Sequence, residues 1–140
     1  MPGPLAALSS LQYLDLTSNQ LTGGVPSSLG GLTELRELQL SFNPLGGTIP
    51  AELGALSHLQ VLELVDTQLT GGIPTSLGDL ADLVTLYLDT NQLSGPVPVG
   101  LLAMPNLQTL GLDGNGCFTA GTPALATFLE NLDPGWDDGC

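Results

Sequence analysis

The sequence predicts an α/β solenoid, in which short parallel strands stack along one side, turns fill the other, and a helix closes the carboxy-terminal end. Three observations carry that prediction. The chain of 140 residues repeats itself with a step of 24. Each repeat opens on an apolar–polar alternation of strand type. The repeat then stops ahead of a segment with helical periodicity. The length fits one domain and argues against two independent cores.

The strand segment comes first. Leu11, Leu35, Leu59, Leu83 and Leu107 head their repeats, followed by Leu14, Leu38, Leu62, Leu86 and Leu110, then by Leu16, Leu40, Leu64, Leu88 and Leu112. This LxxLxL spacing suits a short strand with one buried face, and parallel stacking sets equivalent residues about 4.8 Å apart. Asn19, Asn43, Asn91 and Asn115 form the next column, with Thr67 substituting once. Leu21, Leu45, Leu69 and Leu93 follow, then Gly23, Gly47, Gly71 and Gly95. Val25, Ile49, Ile73 and Val97 each precede a proline, which suits a second, short extended segment with Pro at an edge. The remainder of each repeat is too short for a long helix and is expected to form turns or 3₁₀ pieces on the far side.

These columns resemble the leucine-rich repeat, in its 24-residue plant-type form LxxLxLxxNxLxGxIPxxLxxLxx, over residues 1–116. The resemblance implies a right-handed solenoid of about five coils with its parallel sheet on the concave side. It also implies that the Asn column turns inward and hydrogen-bonds the backbone of neighbouring turns. Thr67 offers only a hydroxyl there and should satisfy fewer groups. The phase puts Pro2, Leu5 and Leu8 in the later columns, so the chain opens partway through a repeat. Residues 1–10 are read as the tail of a truncated repeat, 11–116 as the repeats and 117–140 as the cap. A segment of a longer protein, a trimmed chain, or an unusually bare first edge would each give this phase.

The cap reads as a helix over 121–132. Thr122 is a good N-cap, Pro123 fits the first helical position, and Leu125, Phe128, Leu129 and Leu132 form one apolar stripe. Asp133-Pro134-Gly135 ends it, and Trp136 is expected to cover the remaining apolar edge. Cys117 and Cys140 flank this helix. Three readings stand: a disulfide, two free thiols, or metal ligation. The spacing is no CxxC pair and no His lies nearby, so the disulfide is favoured, at roughly 3 kcal/mol for such a loop. The resemblance points the same way, to an extracellular or cell-surface protein whose leader lies outside this chain or was removed.

Composition excludes whole classes of function. Lys+Arg is 1, namely Arg36, against 14 Asp+Glu, for a formal net charge of −13. Binding nucleic acid or an anionic membrane needs cations that the chain does not carry. No apolar run approaches the ~20 residues of a membrane span, so no membrane insertion is expected. His58 sits in a variable, solvated position beside Glu34, Asp82 and Asn106 of other repeats. No phosphate loop, zinc spacing or nucleophile elbow occurs, so the reading is no enzyme, with no cofactor, metal or catalytic residue.

The outward positions of the strands vary while the frame repeats, so recognition is expected there. One column runs Tyr13, Glu37, Val61, Thr85, Thr109; the next Asp15, Gln39, Glu63, Tyr87, Gly111; a third Thr17, Ser41, Val65, Asp89, Asp113; a fourth Ser18, Phe42, Asp66, Thr90, Gly114. The ligand-binding candidates are Tyr13, Asp15, Glu37, Gln39, Val61, Glu63, Tyr87, Asp89 and Asp113. Aromatic anchors ringed by charge resemble a protein-binding surface; the competing description is a face merely solvated and acidic. The resemblance implies that the partner is a protein, a peptide or a cell-wall glycan, and the charge favours a basic one. Asp89 and Asp113 stack with Asp66 one coil back, and like charges ~5 Å apart repel by ~0.8 kcal/mol in water and ~3 at a partly shielded surface. Ca²⁺ would relieve that, although solvent screening also suffices. The alternative function is ice binding through regularly spaced Thr and Ser. Its best column is Thr22, Gly46, Thr70, Ser94, interrupted at the second place.

Overall fold

The computed structural model describes residues 7–137. Five three-residue strands share one parallel sheet: β1 (Tyr13–Asp15), β2 (Glu37–Gln39), β3 (Val61–Glu63), β5 (Thr85–Tyr87) and β8 (Thr109–Gly111), stacked in that order. Their register is the 24-residue step itself, with Leu14 beside Leu38, Leu62, Leu86 and Leu110 in turn. The repeat therefore fixes the pairing, and every strand turns the same leucine columns to the same side. The fold is the α/β solenoid expected from the sequence, with a sheet on one side and a helix at the end.

Among the described residues the far side carries the 3₁₀ segments Ser27–Gly31, Ala51–Ala55, Thr75–Asp79 and Val99–Ala103. Each follows the proline of its repeat, whose extended backbone delivers the chain into the turn. Gly30 and Gly54 are required by close approach. A Cβ at Gly30 would run into the Glu52 backbone of the next coil, and one at Gly54 into that of Ser76. The second extended segment forms only in the later coils and lies ahead of the Ile-Pro pair. There β4 (Thr70–Gly71) pairs with β6 (Gln92–Leu93), and β7 (Gly95–Pro96) with β9 (Phe118–Thr119). In the first coils it is reduced to single bonds such as Gly24 N–H to Leu45 O.

Between the two sides lies a continuous leucine core. Leu35, Leu38, Leu59, Leu62, Leu83 and Leu86 have no exposed surface, while Leu11, Leu16 and Leu21 of the first coil are only partly buried. Asn43 and Asn91 are buried as expected. The Asn91 Oδ1 accepts the N–H groups of Thr67 and Leu69 in the preceding coil, and its Nδ2 donates to Leu64 and Leu88 carbonyls. Asn43 does the same for Asn19 and Leu21. Asn19, heading the column, donates to the Leu16 and Thr17 carbonyls of its own turn like the others, yet it is exposed, because no described coil precedes it. Thr67 breaks the ladder. Its hydroxyl bonds within its own coil and to Asn91, and the Leu45 N–H turns back to the Asn43 carbonyl instead of meeting a side-chain amide.

The cap follows the sequence expectation. Helix α1 spans Pro123–Leu132, and the Thr122 hydroxyl accepts the Leu125 N–H at 3.2 Å. Leu125, Leu129 and Trp136 are buried against the last coil. Cys140, one half of the expected disulfide, lies outside the described residues. Among the described residues no helix is long and apolar enough to cross a membrane.

Candidate functional site

Period-two alternation turns every second strand residue away from the leucine core, and the in-register sheet then gathers those residues into rows. Tyr13, Glu37, Val61, Thr85 and Thr109 stand side by side across the five strands. Two residues on, Asp15, Gln39, Glu63, Tyr87 and Gly111 form a parallel row. All nine candidate residues thus fall on or at the end of one sheet face, although they span most of the repeat region in sequence.

The rows are not uniform. Tyr13 is 60 % exposed, whereas Glu37, Val61, Glu63 and Tyr87 are half-buried between their neighbours. Asp15 is exposed, and its carboxylate accepts the Thr17 N–H at 2.9 Å, which holds its pKa below the usual value. Gly111 interrupts the second row for a visible reason: the Asp89 carboxylate lies over its Cα, in the space a Cβ would need. That position half-buries Asp89 and pushes its pKa up, with the Asp113 charge adding to the rise.

Beyond the strands the face differs from expectation. Ser41 is buried rather than exposed. It is 2 % exposed, and its hydroxyl accepts the Val65 N–H of the next coil. Asp113 stays exposed. The following column, Ser18, Phe42, Asp66, Thr90 and Gly114, has positive φ throughout, from 51° at Asp66 to 69° at Gly114. The Ser18, Phe42, Asp66 and Thr90 N–H groups each donate to a carbonyl of the next coil, which fixes that turn. It leaves the Phe42 ring 53 % exposed at the edge of the face. The terminal glycine of this column was the sequence signal for a left-handed position.

Chemically, the face offers carboxylates, phenol rings and apolar patches, with no cation among its rows. His58, the residue weighed for catalysis, makes only an exposed 3.5 Å pair with Asp82 away from these rows. Among the described residues no group of three or more His, Cys, Asp or Glu could hold a metal ion. A cleft of about 340 Å³ on the cap is lined by Ala126, Thr127, Glu130, Asn131, Trp136 and Asp137, and none of the candidate rows reaches it. On the flank, Thr22, Thr70 and Ser94 are exposed, but the Thr70 hydroxyl is engaged with the Gly47 carbonyl.

A family model described as leucine rich repeat matches residues 2–45 and 57–116. Comparison with curated proteins finds no significant match. Among solved structures, the chain is similar to the plant peptide hormone receptor RGFR1 in complex with RGF2, at 37% identity and a TM-score of 0.86, covering 94% of this chain and 21% of that one. It is also similar to the Arabidopsis receptor kinase HAESA in complex with the peptide hormone IDA and the co-receptor SERK1, at 39% identity and a TM-score of 0.81, covering 84% and 20%. A plant ice-binding protein matches at 36% identity and a TM-score of 0.68, covering 74% and 34%. The chain thus spans about a fifth of each receptor chain.

Proposed function

The chain belongs to the leucine-rich repeat family, and from that premise we propose that it is a non-enzymatic recognition module whose concave face binds an extended, basic peptide or protein segment outside the cell. The observation that carries this reading is the pair of side-chain rows, invariant in backbone and varied in side chain, with Glu37, Glu63 and Asp15 among aromatic neighbours and no cation between them. Similarity to peptide hormone receptors supports a peptide or protein rather than a glycan. The net charge of −13 favours a Lys- or Arg-bearing partner, which it would steer. A disulfide between Cys117 and Cys140 belongs to the same reading.

The test is a binding screen against arrayed peptides of graded charge, repeated with the Glu63→Ala, Tyr87→Ala double variant. Basic peptides should bind and neutral ones not. The double variant should fold as the parent and lose about 2 kcal/mol or more of affinity if these are central anchors. Equal binding by parent and variant would remove the concave site. The similarity to a plant ice-binding protein gives a second reading, carried by exposed Thr22, Thr70 and Ser94. It predicts that inhibition of ice growth is lost on replacing Thr22 and Thr70 and is untouched by the concave variant.

A further inference from the structure

Four coils hand one backbone bond forward in the same way. The N–H groups of Leu16, Leu40, Leu64 and Leu88 donate to the carbonyls of Gln39, Glu63, Tyr87 and Gly111, each in the next coil, at 2.8–2.9 Å. Leu112 occupies the same position in the last coil, at the end of this sheet among the described residues. Its N–H donates at 2.7 Å to the Asp133 Oδ2. A side-chain carboxylate from the end of α1 therefore takes the place that the next coil's carbonyl has in the other four.

That carboxylate is held and enclosed. Asp133 is 8 % exposed, its own N–H donates to Leu129 O, and its carbonyl accepts the Trp136 N–H. The bond to Leu112 thus joins the sheet edge to both the helix and the tryptophan turn. The charges around it have one sign. Asp113 on the last coil and Asp89 on the coil before it both act on Asp133. The helix and its turn contribute only Glu130 and Asp137, and the segment Val99–Ala103 has no ionisable side chain. The chain has no Lys, and its Arg36 and His58 belong to the second coil and the turn entering the third.

We propose that Asp133 is a pH-sensitive latch for the carboxy-terminal cap, docking the helix tightly on the last coil in acid and more loosely at neutral pH. The neutral carboxyl can accept the Leu112 N–H through its carbonyl oxygen at little cost in burial. The ionised carboxyl carries an unpaired charge into the same enclosed place, beside two more acids. Burial accordingly pushes the Asp133 pKa above that of an exposed aspartate, and the Asp113 and Asp89 charges push the same way against the lowering by the Leu112 N–H. A docked state that holds its proton to higher pH is favoured most below the exposed-aspartate value and weakens as pH rises through the raised one. Each pH unit between the two values changes the docking equilibrium about tenfold.

Amide hydrogen exchange at Leu112, corrected for intrinsic rate and referred to Leu64 in the middle coil, reads the latch directly between pH 4 and 7.5, with Trp136 fluorescence alongside. The parent should lose Leu112 protection on going to neutral pH. Asp133→Asn, whose uncharged amide oxygen can accept the same bond, should keep that protection level. Asp133→Ala should expose Leu112 at both ends of the range while Leu64 stays protected. Level protection in the parent overturns the latch. So does an Asp133→Asn profile that follows the parent, because the titration would then belong to Asp113 or Asp89.

Discussion

The first coil and the third have nearly the same sequence of columns and opposite environments. In the third, Leu59, Leu62, Leu64 and Thr67 have no exposed surface, and the turn is closed by Asn91 from the coil after it. In the first, Leu11, Leu16 and Leu21 are only partly buried, Leu8 is 50 % exposed, and Asn19 is on the surface. Burial here is a property of having two neighbours, not of the residue. The carboxy-terminal end shows the contrast from the other side, where α1 and Asp133 supply what a following coil would have given.

The largest effect should separate the two environments at the same column. Asn91→Ala leaves the Thr67 and Leu69 N–H groups without their acceptor inside the core and takes one of two side-chain donors from the Leu64 and Leu88 carbonyls, at a cost of about 3–5 kcal/mol. Asn19→Ala, at an exposed position, should cost about 1 kcal/mol or less. Urea unfolding of both variants checks the difference, and equal costs would break the comparison.

Next in size is the far side. Gly54→Ala places a methyl against the Ser76 backbone and should destabilise by about 2–3 kcal/mol. Gly31→Ala, with open space around it, should be neutral or stabilise by up to about 1 kcal/mol. Thermal melts of the pair show whether coil spacing is as tight as the backbone contacts require.

A smaller effect comes from pH. Asp89 and Asp133 both have raised pKa values in the fold, so the folded state binds protons that the unfolded state has released. Stability should therefore fall as pH rises above about 3.9, through the raised values. The melting temperature should be higher at pH 4 than at pH 7.5, and Asp89→Asn should narrow that gap. The smallest effect concerns the left-handed turn column. Thr90 is β-branched at φ 56°, whereas Gly114 is at ease at φ 69°. Thr90→Gly should stabilise by roughly 0.5–1 kcal/mol, and chemical denaturation resolves its sign.

Much of this was legible in the sequence because the step of 24 is also the register of the sheet. Once Leu14 and Leu38 are known to stack, the rows carrying Tyr13, Glu37, Glu63 and Tyr87 follow without further information. What was hidden depends on contacts that cross the repeat. Ser41 shares a column with the exposed Asp113, yet it is buried, its hydroxyl accepting the Val65 N–H of the next coil. Asp133 reads as a helix terminator, and the group it serves lies 21 residues back. The gap at Gly111 was visible, but its occupant, the Asp89 carboxylate, was not.

The asparagine ladder runs one way. Asn43 accepts the amides of Asn19 and Leu21, and Asn91 those of Thr67 and Leu69, so in addition to the bonds within its own turn an asparagine fastens the turn before it. A lesion in one coil is thus felt upstream, toward the amino terminus, before it is felt downstream. The molecule behaves less like a stack of equal tiles than like overlapping shingles, in which the row laid last holds down the edge of the row before it.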